Sequence, residues 1–459
     1  MKRRIYPLPF VACGLLLVSC RTTESSYDPA STLEFTPETW SHAEDSPLQT
    51  DWIESFGSPT LSSLIAESIE NNFGLEAIDQ QARAAEAAYR ITNSARLPSL
   101  GANLRSSRAR SMVTLNPPVA IEGESHAINL SARWEVDLWN RLGQESSASR
   151  AQYRASLFEL EAFRLSLAGQ VAKAWFNTIE AKTQYELAEA SAESFDSKLQ
   201  TLERRYARGL VEALDLRLSR AQVSSTRAAA ISRRNALDTT LRTLETLLGR
   251  YPSAGLSLEE ELPELTSKPA AGLPSELLAR RPDILAEQQR LLAALALEKS
   301  ALRNWLPSLS LTASDGGLSS DFSNLLDNDF NVWSIAGDLS LALFQSGRLK
   351  AQRDQLNANQ LSQLARYKST ALTAFREVET SLKAEEELAA LESQTEISAN
   401  ENQLAEEQAW KLYERGIVDI TTVLDAERRS FDSRSQLVSI RNQRLQNRIN
   451  LHLALGGSY

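Results

Sequence analysis

The sequence predicts an α+β membrane protein built from two copies of a strand-strand-helix-helix unit. Three observations carry this: collinear matches between the halves, two pairs of alternating segments, and long proline-free stretches of helical period. The matches recur at an offset of about 205 residues. Leu97, Pro98, Ser99 and Leu100 answer to Leu306, Pro307, Ser308 and Leu309; Leu138, Trp139 and Gly143 answer to Leu343, Phe344 and Gly347. Tyr206, Arg208, Gly209 and Val211 answer to Tyr413, Arg415, Gly416 and Val418, and Leu247, Leu248 and Gly249 to Leu453, Leu455 and Gly456. Similarity that keeps its order at a fixed offset marks an internal duplication.

The chain opens on Lys2, Arg3 and Arg4, followed by an apolar run from Ile5 to Val18 that is too short to cross a bilayer comfortably. It ends in Leu17, Val18, Ser19 and Cys20, which resembles the box cut by the lipoprotein signal peptidase. Residues 1–19 are therefore expected to be a leader and Cys20 the acylated first residue of the mature chain. Each buried methylene of an acyl chain contributes about 0.8 kcal/mol, so several chains on one cysteine make a stable anchor. Arg21 rather than Asp follows, as in lipoproteins passed on to the outer membrane. Cys13 lies in the leader, so no disulfide framework is expected. Loss of the three basic leader residues takes the formal charge from −10 to −13, an acidic balance that argues against nucleic acid as a partner.

The first alternating pair spans Leu97 to about Arg108 and Ile128 to Leu138. Ile128, Leu130, Ala132, Trp134, Val136 and Leu138 share one face; Asn129, Ser131, Arg133, Glu135 and Asp137 share the other. In the second pair, Leu309, Leu311 and Ala313 oppose Ser308, Ser310 and Thr312, and Ile335, Leu339, Leu341 and Leu343 oppose Ser334, Asp338 and Ser340. Segments of this kind, with aromatic residues near their ends, are the pattern of β-barrel strands facing lipid on one side and water on the other. Trp139, Trp305 and Phe344 are expected at one rim, Phe330 and Trp333 near the other. An ordinary β-sandwich also alternates, and the strands alone do not separate the two.

Proline is absent between Pro118 and Pro252 and after Pro307, which permits very long helices. From Leu157 through Leu160, Leu167, Val171, Ala174, Ala181, Tyr185, Ala188, Ala192, Phe195, Leu199 and Leu202 to Tyr206, apolar residues follow steps of three and four, interrupted by Arg164 and Thr178. A sustained 3.5-residue period predicts coiled-coil packing over roughly 75 Å. The stretch from Arg348 to about Leu412 predicts a second helix of similar length.

No catalytic constellation emerges, so the chain is not expected to be an enzyme. The histidines, His42, His126 and His452, are scattered without metal-ligand spacing, and neither a phosphate-cradling glycine loop nor a dinucleotide turn occurs. No metal site and no cofactor are expected.

The sequence resembles the outer-membrane factor family of tripartite efflux systems, the TolC and OprM type, in its lipoprotein branch. The resemblance rests most on Leu278, Ala279, Arg280, Arg281, Pro282, Asp283, Ile284 and Glu287, similar to the linker motif that opens the family's second repeat. Trp52, Phe56, Gly57, Pro59 and Leu61, with Asn71 and Asn72 following, add to it, as do the turns at Tyr206 and Tyr413. It implies a homotrimer in which each subunit supplies four strands to a twelve-stranded β-barrel and four long helices to a periplasmic α-helical barrel. It divides the chain into the leader, an N-terminal anchor and equatorial segment (20–60), a first repeat (61–250), an equatorial linker (251–282) and a second repeat (283–459). It also implies a passive exit channel for small molecules, working with a periplasmic adaptor and an inner-membrane RND-type pump. Alternatives are a lipid-anchored coiled-coil or adhesin protein of the envelope, which leaves the paired hairpins unexplained, and the duct of a protein secretion system.

In the family the two glycine turns lie at the periplasmic tip of the tube. Glu212 and Asp215 follow the first turn, Asp419 and Asp425 the second. A threefold ring of carboxylates at a narrow mouth favours cations and repels anions; an equal reading has Asp215 and Asp425 cap the helices restarting after Gly209 and Gly416, or sit in solvent. The resemblance further suggests that Tyr206, Arg208, Tyr413 and Arg415 lock the closed tip between helices. The chain departs from the family where an acid often stands two positions after the second glycine: Val418 is there, and the acid falls at Asp419.

Overall fold

Equal element lengths in the two halves express the duplication directly. The repeats run α1 (Pro59–Asn71), α2 (Phe73–Ser94), β1 (Ser99–Val113), β2 (Val119–Val136), α3 (Arg141–Ala207), α4 (Ala213–Leu247), then α5 (Pro274–Arg280), α6 (Pro282–Arg303), β3 (Ser308–Ser319), β4 (Asn331–Ser340), α7 (Arg348–Glu414), α8 (Ile420–Ala454). Helices α2 and α6 are both 22 residues long, α3 and α7 both 67, and α4 and α8 both 35. From Arg141 to Arg348, and from Ala213 to Ile420, the displacement is 207 residues. At that displacement the left-handed residue before α7, Gly347, answers to Asn140 before α3 rather than to Gly143.

The computed structural model describes residues 33, 35–41, 52–114, 117–258, 261–265 and 271–457. The expected leader, Cys20, Arg21 and His42 lie outside the described residues. Everything described from Thr36 onward belongs to one unit; Leu33 and Phe35 belong to the other.

Two long helices in each half follow from what starts and stops them. Asp137 accepts from the backbone N–H of Leu142 (3.0 Å) and Gly143 (2.7 Å), supplying acceptors that the first turn of α3 otherwise lacks. Helix α3 begins well before Leu157 because Ser146, Ala148, Ala151 and Ala155 are buried there, Ala148 and Ala151 against Ala293 and Ala296 of α6. At 1.5 Å per residue its 67 residues extend roughly 100 Å. Its seam is buried at Leu160, Leu167, Val171, Ala188, Ala192, Phe195 and Leu202, whereas Leu157 and Tyr206 are exposed. A second stripe, Leu165, Ala168, Ala172, Trp175, Phe176 and Ile179, is buried as well. One seam does not suffice because α3 packs against α1, α2, α4, α6 and α8.

The largest apolar cluster gathers Trp52, Phe56, Leu61 and Ile65 from the entry to α1, Trp175, Phe176 and Ile179 of α3, Leu244 of α4 and Leu445 and Ile449 of α8. Asn72 locks this region: its side chain accepts from Leu75 N–H (3.1 Å) at the start of α2 and donates to the Leu247 carbonyl (2.9 Å) at the end of α4.

The four strands form one antiparallel sheet in the order β1-β2-β3-β4. Its register is unbroken from Ser99 opposite Arg133 to Val113 opposite Val119. The first hairpin is therefore five residues longer on β1, and longer still on β2, than alternation alone predicts. Side-chain parity is kept throughout, since no bulge interrupts the ladder. Trp139 donates to the Pro307 carbonyl (2.7 Å), tying the end of the first hairpin to the start of β3 where the sheet meets the helices. Every residue of β4 is exposed, and β1 and β4 are edge strands with no partner among the described residues. In water, a sheet with neither face covered nor either edge paired is not a stable end state.

Candidate functional site

Two places gather the functional residues suggested by the sequence: the turns between paired long helices, and the joint between α5 and α6. At the first, α3 ends at Ala207 and α4 starts at Ala213; at its counterpart, α7 ends at Glu414 and α8 starts at Ile420. Gly209 (φ 73°) and Gly416 (φ 74°) make the reversals in the left-handed region, which costs a side-chain-bearing residue roughly 1–2 kcal/mol.

Among the eight tip residues the fold assigns different tasks. Asp419 is the N-cap of α8, its Oδ1 accepting from Thr422 N–H (3.0 Å), Thr422 Oγ1 (2.9 Å) and Thr421 Oγ1 (2.7 Å). The Thr421 hydroxyl and the Thr422 donors hold its pKa below the usual carboxylate range. Asp425 lies a turn further on and pairs with Arg428 (2.7 Å) and Arg429 (2.8 Å), which lower its pKa, the Arg428 hydrogen bond most. Glu212 stands at the N-cap of α4 without capping it. Asp215 alone reaches another helix pair: Tyr413 Oη donates to its Oδ2 at 3.2 Å, from the end of α7 to the first turn of α4.

Tyr413 is 6 % exposed and packs with Leu202, Ala409, Ile420 and Val423. Burial first, and then the neighbouring Asp215 charge and its hydrogen bond, push the phenol pKa up to about 12, so it stays a donor at any physiological pH. The side chains of Tyr206, Arg208 and Arg415 are exposed and make no hydrogen bond or ion pair among the described residues. Of the four residues Tyr206, Arg208, Tyr413 and Arg415, only Tyr413 makes a side-chain bond to another helix within the described chain. Arg205, absent from the sequence candidates, joins it: its guanidinium lies 5.7 Å from the Tyr413 ring and Nη2 donates to the Glu414 carbonyl (3.4 Å). Two turns up, Lys198 of α3 pairs with buried Glu427 of α8 and lies 5.3 Å from the Trp410 ring. Helix periodicity registers neither contact, because both depend on which helices become neighbours.

Asp419→Ala is expected to destabilise by about 1 kcal/mol through loss of the cap. The thermal midpoint of the purified protein checks it, with Asp419→Asn retaining most of the stability.

At the second place, Arg281 is both the last residue around α5 and the first around α6, and Pro282 at the first helical position fixes the restart. The Arg281 side chain is buried. Nε and Nη2 donate to the two Asp283 oxygens (3.0 and 2.7 Å), while Nη1 donates to Glu377 Oε2 of α7 (2.7 Å) and to the carbonyl of Ala454 at the end of α8 (3.1 Å). Burial opposes its charge, but the bonds from Asp283 and Glu377 outweigh that and raise its pKa. Arg280 stays at the surface, paired with Glu276 (3.3 Å). A cavity of about 520 Å³ opens beside this joint, lined by α3, α7 and α8.

Between α7 and α8 an ionic ladder runs through the packing: Glu385 takes Arg448 (2.6 Å) and Arg444 (3.3 Å), Glu392 takes Arg444 (2.9 Å) and Arg441 (3.2 Å), and Glu396 takes Arg441 (2.9 Å). No group of acids, histidines and cysteines suited to hold a metal is found among the described residues. No described helix is long and apolar enough to cross a membrane.

The family model described as outer membrane efflux protein matches residues 64–250 and 273–457. The solvent efflux pump outer membrane protein SrpC of Pseudomonas putida is 31% identical over 88% of this chain and 87% of its own length. The cation efflux system protein CusC of Escherichia coli K12 is 29% identical over 98% of each chain. A solved structure of CusC superposes with a TM-score of 0.82 at 28% identity, covering 92% of this chain and 97% of that one. With two matched repeats that contain both hairpins and all four long helices, the chain belongs to the outer membrane efflux protein family and is an efflux exit channel of the outer membrane.

Proposed function

We propose that three copies join into a single duct, a twelve-stranded β-barrel in the outer membrane continued by a periplasmic tube of helices, through which a pump and adaptor discharge small molecules. The observation that carries this is the open four-stranded sheet. Lipid does not tolerate unpaired strand edges, and known membrane barrels begin near eight strands, so β1 of one copy must pair with β4 of the next.

The helices support the same ring. They pack side by side in the order α4-α3-α8-α7, leaving α4 and α7 as flanks. Arg217, Arg233, Arg234 and Arg242 are exposed on α4, and Glu387, Glu401 and Glu407 are exposed on α7. Opposite charges on the two flanks suit a head-to-tail interface, which closes into a ring.

In this reading Cys20, which lies outside the described residues, carries the lipid anchor. The chain itself supplies no chemistry: it is a passive conduit whose energy comes from an inner-membrane RND-type pump acting through the adaptor. The Tyr413–Asp215 bond closes the tip. Arg281 sets the equatorial joint from which α7 and α8 descend. The cargo, solvents as for SrpC or cations as for CusC, is chosen by the pump, since a wide bore discriminates by size and charge.

The ring is tested by gel mobility in detergent. The unheated protein is expected to run as a trimer that boiling converts to a 50.8 kDa chain or slightly less; an unheated monomer without pore activity overturns the proposal. Tyr413→Phe keeps the packing and deletes the donor to Asp215. It is expected to raise single-channel conductance in a planar bilayer, whereas Asp425→Ala, whose carboxylate serves Arg428 and Arg429, leaves it near the parent value.

A further inference from the structure

The first hairpin changes its polarity along its length while keeping its register. In the part paired with β3, the even residues of β2, Ile128 to Val136, form the apolar face, with Leu100, Ala102 and Leu104 of β1 opposite them, and the odd residues Asn129 to Glu135 form the wet one. The pairing with β3 ends where His126 meets Ser319, and the hairpin continues alone. Beyond that point the even face carries charge: Arg108 faces Glu122 and Glu124 (3.4 Å each) and Arg110 faces Glu122 (3.5 Å). The odd face carries no charge there: Ala109, Val113, Val119 and Ile121 stand on it with Ser107, Ser111, Gly123 and Ser125. Because no bulge rotates the strands, the face that was wet below is apolar above. Val113, Val119 and Ile121 are exposed in the single chain. The connection between β3 and β4 does not cover them: its Phe322 meets His126 on the even side, with ring centroids 5.7 Å apart.

We propose that these projecting hairpins close the cell-surface mouth of the channel by bringing Val119 and Ile121 of the three copies together on the axis. The proposal rests on the three-copy duct. In such a ring the odd face looks into the bore, so the only surface opposite one apolar hairpin is the same face of another copy. Seven residues of β2, Val119 to Ser125, extend past the sheet, about 23 Å at strand rise. A twelve-stranded barrel has a radius of about 12 Å for strands 4.8 Å apart and tilted near 40°. Hairpins of that length span the radius once they lean inward. The charged even face remains in water, which holds them at the surface instead of in lipid. An apolar constriction blocks ions by dewetting without a fitted plug, and three identical hairpins held by side-chain contact alone separate when the cargo pushes.

The test uses the full chain with Ile121→Cys or Glu122→Cys, treated in the assembled state with a short bifunctional maleimide, the unsubstituted chain serving as control. Ile121→Cys is expected to give linked copies that survive boiling, and Glu122→Cys, one residue away on the other face, is expected to give none. Separately, Ile121→Asp is expected to raise single-channel conductance about twofold or more by wetting the constriction. If the unheated gel shows an intact trimer but Ile121→Cys does not link, links equally with Glu122→Cys, or links to a different partner, the mouth closure is overturned while the duct stands. If no trimer forms, the duct and the closure fall together.

Discussion

Replacing Arg281 by alanine is expected to lower folding stability by about 1–3 kcal/mol, the cost of leaving the Ala454 carbonyl and the partly exposed Asp283 and Glu377 carboxylates without their donor. Four hydrogen bonds disappear at once, to Asp283, Glu377 and the Ala454 carbonyl. With them goes the connection between the start of α6, the middle of α7 and the end of α8. Lysine at 281 is expected to recover little, because a single ammonium cannot span the Asp283 carboxylate bidentately while also reaching Glu377. Thermal unfolding of the detergent-solubilised protein measures the loss, and Arg280→Ala is the control, since its exposed pair with Glu276 contributes at most about 1 kcal/mol. Equal midpoints for the two variants would remove Arg281 from its assigned place.

A comparable effect is expected from acidification at His452. This residue, 4 % exposed, stacks on Trp52 with ring centroids 5.8 Å apart and meets the edge of Phe56 at 6.3 Å. Burial, followed by the charge of Arg448 and against the smaller opposing effect of Glu385, depresses its pKa from 6.5 to about 4. The unfolded chain therefore binds a proton at His452 below pH 6.5, while the folded chain resists until about pH 4. Stability is intact above that window and falls as the pH descends through it, by roughly 3 kcal/mol if the full shift is realised. His452→Phe keeps the stacking and abolishes the titration. The difference between parent and variant midpoints should narrow or reverse between pH 7 and pH 4.5, and a difference independent of pH would refute the assignment.

Much of this architecture is legible in the sequence because duplication and alternation are strong signals. The hairpins are visible where apolar and polar residues alternate in one sense. The first is lost beyond about Arg108 and before Ile128 because the same spacing continues there with the faces exchanged, so the pattern averages out. The beginning of α3 is missed because Ser146, Ala148, Ala151 and Ala155 let helices approach closely yet carry little hydrophobic signal. At the tip, the turns at Gly209 and Gly416 are found from their residues, but the roles are not. Asp419 becomes a cap and Asp215 a cross-helix acceptor because Tyr413 arrives from a helix 198 residues away. Likewise the motif at Arg281 is recognisable, whereas its Glu377 partner, 96 residues on, is set by packing alone.

Among the described residues the ladder between α7 and α8 is denser and more buried than its equivalent between α3 and α4, where Asp196 takes Arg227 (2.7 Å) and Glu203 takes Arg220 (2.8 Å) at the surface. Displaced by 207 residues, Glu385, Glu392, Arg444 and Arg448 correspond to Thr178, Tyr185, Leu237 and Leu241. Sliding α8 along α7 by one residue parts each cation from its carboxylate within the packing, whereas the same slip along α3 and α4 parts only the exposed pairs Asp196–Arg227 and Glu203–Arg220. Two limbs with a common ancestor and equal length thus differ in compliance: the one geared by buried ion pairs resists shear more than the one bridged at its surface.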